Sequence, residues 1–193
     1  MSTIDTPEAP LKSSGAPEYS STKGLVVDVA LRVLLFATAL VAIIVMVTSK
    51  QTKMIPVAPG LVVPMTAKFT QSPAFIYFIA AVSVACLYSI ITAAVSVLAL
   101  MRGGISTKMQ FHFVMFDALL LGIVAAATGA AGGVAYIGYK GNTHTRWNKI
   151  CNTHDSFCFH IASSLVLSLI SSIALLLLVW LSLYVLSKKI ARR

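Results

Sequence analysis

Four long apolar blocks alternate with polar segments along this chain. They cover residues 25–48, 75–101, 111–139 and 161–186. Each block is longer than the roughly 20 residues that a helix needs to cross a hydrocarbon layer about 30 Å thick. Because backbone polar groups find no water in that layer, a helix is the structure expected for each block. The pattern predicts an all-α integral membrane protein, a bundle of four transmembrane helices.

The segments outside the blocks are polar. Residues 1–24 contain Ser, Thr, Pro, Gly and mixed charge with little to bury, which predicts a disordered tail. Residues 25–187 are expected to form one membrane domain, and residues 188–193 a short basic tail. The pattern of a cleavable leader is not found before the first block, so we expect that block to be retained as a span.

Composition excludes several classes of protein. The chain is 58% hydrophobic and only 11% charged, which leaves too little polar surface to coat a soluble globule. A net charge of +9 would suggest nucleic acid as the partner of a soluble protein. Here the Lys and Arg residues lie mainly beside the blocks, where membrane topology and anionic lipid account for them. We therefore expect contact with membrane lipid and no nucleic-acid partner.

The distribution of basic residues predicts an orientation. Four spans place both termini on one side of the membrane, where eight Lys and Arg residues lie outside the blocks, against six on the other side. This excess weakly favours cytosolic termini. A basic cluster at residues 188–193, directly after the fourth block, fits the anionic cytoplasmic leaflet. Loops 50–74 and 140–160 are then expected to face outside.

Two of the three cysteines lie together in the second of these loops. Cys151 and Cys158 are seven positions apart, and a disulfide between them would agree with a loop on the oxidising side of the membrane. Zinc is the alternative, because His154 and His160 add two ligand atoms, although the spacing matches none of the common zinc patterns. Cys86 lies alone in the second block and is interpreted as a small apolar filler.

Three charged residues lie within the blocks: Asp28, Arg32 and Asp117. An ionised side chain deep in a bilayer costs at least about 2.5–3.5 kcal/mol, so it needs a partner or a function. The first and third spans start on the same side of the membrane, so Arg32 and Asp117 both lie about 9–11 Å deep at ~1.5 Å per residue. We predict an interhelix ion pair between them, with Asp28 as the rival partner one turn before Arg32. In the remaining alternative, Arg32 extends to the interface alone.

Small residues form a stripe along the third block and recur in the fourth. Small side chains four positions apart let helix backbones approach closely in lipid. The sequence leaves open whether these stripes hold the four helices together or join subunits. The candidate helix-packing residues are Gly122, Ala126, Gly129, Ala130, Gly133, Ser164, Ser168 and Ser172.

The residue content favours a non-enzymatic scaffold. The outer loops lack a Ser-His-Asp set, a paired carboxylate and a glycine-rich phosphate cradle, so we expect neither enzyme activity nor a cofactor. A small channel or transporter that uses Arg32 and Asp117 is the alternative, because intramembrane charges often mark ion pathways. Transporters often contain helices that Pro interrupts near the middle of the membrane, and no Pro lies within any block of this chain. Adhesion of the claudin or tetraspanin type is a third class, but the cysteine patterns of both are missing.

Several segments of the chain resemble a known plant family. They lie at the ends of the spans and around the two loop cysteines, at residues 28–32, 49–53, 116–117, 134–142, 146–151 and 157–158. Together they are similar to the Casparian strip membrane domain protein-like family, which is related to the four-span MARVEL proteins. The similarity extends over residues 25–187.

The resemblance implies a plasma-membrane scaffold with both tails in the cytosol. The family hallmarks are an Arg in span one and an Asp in span three, which correspond to Arg32 and Asp117. Its members assemble into homo- and hetero-oligomers, and the Casparian strip members form immobile platforms that guide local cell-wall modification. The implied partners are further copies, related members and extracellular wall-modifying enzymes. Residues 68–73 replace a longer aromatic-rich signature of the strip-forming members, so we expect a broader family member.

Overall fold

Four long helices make up most of the structure, a computed structural model that describes residues 18–58, 61–102, 107–144 and 149–191. All four are long and apolar enough to cross a membrane, which confirms the predicted set of four long apolar helices. The helices are α1 Glu18–Thr48, α2 Pro73–Arg102, α3 Thr107–Lys140 and α4 Asp155–Ile190. The candidate spans within them are Lys23–Thr48, Pro73–Met101, Lys108–Lys140 and Asp155–Lys188.

The helices pack in a closed ring. Helix α1 contacts α2 and α4, and α3 contacts the same two helices. Small residues on α1 and α3, such as Ala42 and Ala131, are fully buried and permit close approach. Phe78, Leu175 and Leu178 fill the space between the helices and are also fully buried. We call the end where α1 starts and α4 finishes the terminal end, and the opposite end the hairpin end.

Serines on α4 connect that helix to both of its neighbours. Three of its buried serines follow each other at intervals of four and three residues, so they share one face of the helix. Interhelix hydrogen bonds of this kind contribute on average about 0.6 kcal/mol each in membrane proteins. The contacts are Ser164 Oγ donating to Ala42 O at 2.8 Å, Ser168 Oγ with Thr128 Oγ1 at 2.7 Å, and Ser171 Oγ with Thr38 Oγ1 at 2.8 Å.

The segment between α1 and α2 is a β-hairpin, although the sequence predicted only a loop. Strand β1, Lys50–Ala58, pairs antiparallel with β2, Leu61–Lys68, and a short 3-10 turn leads into α2. Pro56 and Pro64 obscure the strand pattern, because Pro lacks the N–H group that a sheet needs. In a two-stranded sheet both strands are edges, where a missing donor is tolerated. The hairpin is therefore an unpredicted addition to the predicted helical bundle, which the four long helices form.

The helices extend beyond the apolar blocks. Helix α1 begins at Glu18, so the disordered tail predicted for residues 1–24 is wrong for 18–24, while residues 1–17 lie outside the described part of the chain. At the other terminus α4 continues to Ile190, through part of the predicted basic tail. Hydropathy marks where the membrane ends, whereas a helix continues into water until its backbone pattern is broken.

Two adjacent serines on α4 provide a matched test of the packing. Ser164 is fully buried against α1, whereas Ser163 is partly exposed and donates within its own helix to Phe159 O. Overpacking a tight contact costs about 1–3 kcal/mol. We expect Ser164→Leu to lower the thermal unfolding midpoint of detergent-solubilised protein clearly more than Ser163→Leu does. Equal midpoints for the two variants would contradict this packing of α4 against α1.

Candidate functional site

Arg32 is fully buried between the helices, toward the terminal end. Its Nε donates to Asp28 Oδ2 at 2.9 Å, and its Nη2 donates to Asp117 Oδ2 at 3.4 Å. The Asp117 side chain is fully buried, whereas that of Asp28 is 13% exposed. Arg32 thus contacts both candidate partners at once, with the shorter bond to the local one. These three side chains form what we call the charge cluster.

Helix α2 also contributes to the charge cluster. Ser96 Oγ donates to Asp28 Oδ2 at 2.6 Å, so that carboxylate accepts from two helices. Phe113 of α3 lies beneath the guanidinium, with its ring centroid 5.1 Å from Arg32 Cζ, which is a favourable cation–π distance. Sequence reasoning missed both residues. Phe113 precedes Asp117 by one helical turn, and this spacing could have identified it as a neighbour of Asp117 on the same helix face.

The charge cluster is electrically unbalanced. It contains two carboxylates and one guanidinium, so in its fully ionised form it carries one negative charge in excess. Arg32 Nη1, Asp117 Oδ1 and the hydroxyl of Tyr88 are buried and have no hydrogen bond of good geometry within the described residues. Removing one partner from a buried ion pair costs about 3–5 kcal/mol, because a charge is left without compensation. Loss of Arg32 would leave both carboxylates without a positively charged partner.

At the hairpin end, polar contacts connect β1 to the start of α4. The first N–H groups of a helix lack acceptors within the helix. Gln51 Oε1 accepts from the N–H of Phe157 at 3.0 Å, so the hairpin caps α4 from outside. Lys53 Nζ lies 3.1 Å from Asp155 Oδ1, and both groups are exposed to solvent. The hairpin is therefore attached to the helix that also carries the buried serines.

A disulfide joins the loop that precedes α4 to the first turn of that helix. It joins Cys151 to Cys158, whose Cα atoms are 5.7 Å apart, in agreement with the predicted disulfide. The ring of His154 lies between the loop and the hairpin, with Nε2 3.2 Å from Met65 O. The zinc alternative loses both thiolates in this arrangement, and the described residues contain no group of three ligating side chains. Cys86 is a free, buried thiol within α2.

The two sets of predicted helix-packing residues face in different directions. Ser164, Ser168 and Ser172 are buried within the bundle. The α3 set is exposed on the outside of the bundle, which favours the alternative in which it joins subunits. In the part of the chain that the structure describes, a Cβ atom added at any of its glycines would meet no atom of another helix within 4 Å. We call this outward surface the α3 stripe, and it consists of Gly122, Ala126, Gly129, Ala130 and Gly133.

The chain is similar to a set of plant membrane proteins. The sequence model of one family, described as the Casparian strip membrane protein domain, matches residues 21–174. CASP-like protein 1D1 of Populus trichocarpa is 50% identical over 191 residues, which cover 98% of this chain and 94% of that protein. CASP-like protein 1 of Panax ginseng is 58% identical over 76% of this chain and its own full length. CASP-like protein 1D2 of Glycine max is 48% identical over 94% of this chain and 97% of its own. No solved structure matches the chain.

The excess negative charge of the cluster predicts an order of mutational effects. Arg32→Gln leaves two carboxylates without a cation and should cost about 3–5 kcal/mol in the free energy of unfolding. Asp28→Asn leaves Arg32 and Asp117 as a neutral pair and should cost less. Unfolding of the purified variants in mild detergent, followed by helical signal, measures both. Equal losses, or a greater loss for Asp28→Asn, would contradict this account of the cluster.

A charge exchange tests the role of Asp28 in the same experiment. The double change Arg32→Asp with Asp117→Arg places a carboxylate four residues after Asp28, where like charges on one helix face repel. We therefore expect only partial recovery from the double change, and further recovery when Asp28→Asn is added. Full recovery without the third change would show that Asp28 is not coupled to Arg32.

Proposed function

Because the chain belongs to the family of the Casparian strip membrane protein domain, as its sequence segments suggested, we propose that this multi-pass membrane protein is a non-enzymatic scaffold. In this proposal it assembles laterally in the plasma membrane and organises a membrane subdomain. Copies of the chain and related family members are its assembly partners. Wall-modifying enzymes outside the cell are the partners that such a subdomain would recruit.

The observation that carries the proposal is the outward direction of the α3 stripe. Lipid tails are as apolar as Leu, so helices associate in membranes mainly through close packing of small residues. Gly129 and Gly133 are exposed, and a Cβ atom added at either would meet no other described helix within 4 Å. A second copy that presents the same stripe would form a symmetric interface of the commonest kind. The stripe therefore supports self-association.

The use of the buried polar side chains supports a structural role. Arg32 is bound by two carboxylates, and the buried serines of α4 bond to α1 and α3. A catalytic group needs free access to a substrate, which these interhelix contacts do not provide. Their common effect is to fix the positions of the helices, which is what a scaffold requires.

In the proposed orientation the termini lie in the cytosol and the hairpin end faces outside. The Cys151–Cys158 disulfide lies at the hairpin end, and disulfides persist on the oxidising side of a membrane. The basic residues that follow the fourth span lie at the opposite end. The hairpin also exposes Met54, Val62 and Met65, and apolar surface of this kind supports contact with a partner protein.

A small channel or transporter is the second candidate, and one feature of the charge cluster favours it. The cluster has an excess negative charge, and Asp28 is partly exposed beside it. A buried site with one negative charge in excess attracts protons or cations. Measurement of ion flux in liposomes separates this candidate from the scaffold.

The scaffold proposal predicts that bulk on the α3 stripe disrupts self-association. Gly129→Leu combined with Gly133→Leu should reduce the yield of cross-linked dimer in native membranes about tenfold, since small-residue interfaces depend on close approach. The monomer should remain folded, because an added Cβ meets open space. Ala80→Leu with Ala94→Leu is the matched control, because these residues are exposed on α2. This control should retain the wild-type yield.

Two results would contradict the proposal. If the glycine and alanine double variants give the same dimer yield, the α3 stripe is not the interface. If the wild-type protein is monomeric in native membranes and conducts ions in liposomes, the transport candidate replaces the scaffold.

A further inference from the structure

A cavity of about 310 Å³ lies at the hairpin end, beside the disulfide. Phe75 of α2, Tyr139 of α3, Ile161 of α4 and the Cys151–Cys158 disulfide all contribute to its wall. Its volume falls within the range of about 300–1,000 Å³ that is typical of small-molecule sites. The cavity is separate from the charge cluster, which lies toward the other end of the bundle.

The cavity is built into the fold. Gly138 forms part of its wall, and a Cβ atom there would meet no atom of another described element within 4 Å. The carbonyl of Gly138 accepts hydrogen bonds from the N–H groups of Ile150 at 2.9 Å and Cys151 at 3.3 Å. These bonds and the disulfide fix Ile150 and Cys151 in the cavity wall. A preformed space costs a ligand little ordering free energy.

The lining of the cavity selects a hydrocarbon ligand. The described side chains of the wall are aliphatic, aromatic or sulfur-containing, and none of those described is charged. Water is a poor occupant, since an ordered buried water needs two to four polar partners. Tyr136 and Tyr139 border the cavity and are 63% and 62% exposed, as aromatic residues at a membrane interface often are. Lipid chains are the hydrocarbon that surrounds a spanning helix at this level.

Positive charge at the rim indicates the head group. Lys140 Nζ lies 5.7 Å from the centroid of the Tyr139 ring, and exposed Lys149 directly precedes Ile150 in the cavity wall. The carboxylate of Asp155, at the start of α4, is paired with Lys53. We infer that the cavity binds one acyl chain of a phospholipid, with the lipid phosphate beside Lys140.

Lipid titration followed by native mass spectrometry of the full chain tests this inference. The probes are phosphatidylcholine and diacylglycerol with identical chains, added to purified protein in mild detergent. The wild type should bind phosphatidylcholine about fivefold more tightly, the effect expected of one Lys beside a phosphate. Lys140→Gln should abolish this preference without abolishing binding. Equal binding of both lipids by the wild type would overturn the assignment of a phosphate-bearing ligand.

Filling the cavity tests the site itself. Gly138→Leu should weaken binding of both lipids about tenfold, because its side chain projects into the space that the acyl chain occupies. Gly132→Leu is the matched control, since Gly132 lies on the same helix, meets open space and does not line the cavity. Ala162→Leu fills the cavity from α4 and replaces Gly138→Leu if that variant does not fold. Unchanged lipid binding in the folded cavity-filling variants would refute the site. Reduced dimer cross-linking with unchanged lipid binding would assign the cavity to a second copy of the chain instead.

Discussion

A guanidinium inside a bilayer must be compensated, and this requirement for Arg32 constrains the arrangement of three helices. Its charge is balanced by Asp28 on its own helix and by Asp117 on α3. Ser96 of α2 then bonds to Asp28, so α1, α2 and α3 meet at one depth. An isolated buried charge is costly, whereas a hydrogen-bonded one fixes both distance and rotation. Helix α4 needs no charge, because its serines bond to α1 and α3.

The rotation of α3 connects this cluster to the proposed assembly. Asp117 faces the bundle, and Val124 and Ala131 follow it on the same side at intervals of seven residues, all buried. This rotation directs Gly129 and Gly133 to the outside. The charge cluster therefore determines which side of α3 is buried and which side is available to another chain. In this account the ion pair acts on assembly through helix orientation, and without any chemistry of its own.

The sequence predicted the features that depend on hydropathy and on the cost of buried charge. The four helices followed from the apolar blocks, and Arg32 and Asp117 were singled out because they lie at equal depth. The hairpin was missed because Pro56 and Pro64 conceal its strands. The sequence did not predict that Arg32 would bind Asp28 and Asp117 at the same time, because the direction of a side chain depends on the rotation of its helix. For the same reason, the small residues of α3 and α4 looked alike in sequence, although one set faces outward and the other inward.

Lateral assembly is the central claim of this account, and the mobility of the protein in a living membrane tests it most directly. Fluorescence recovery after photobleaching of a tagged full-length chain in the plasma membrane measures that mobility. The account predicts that most of the signal recovers much more slowly than that of a four-span protein known to be monomeric. Rapid and complete recovery, at the rate of such a monomer, would contradict it.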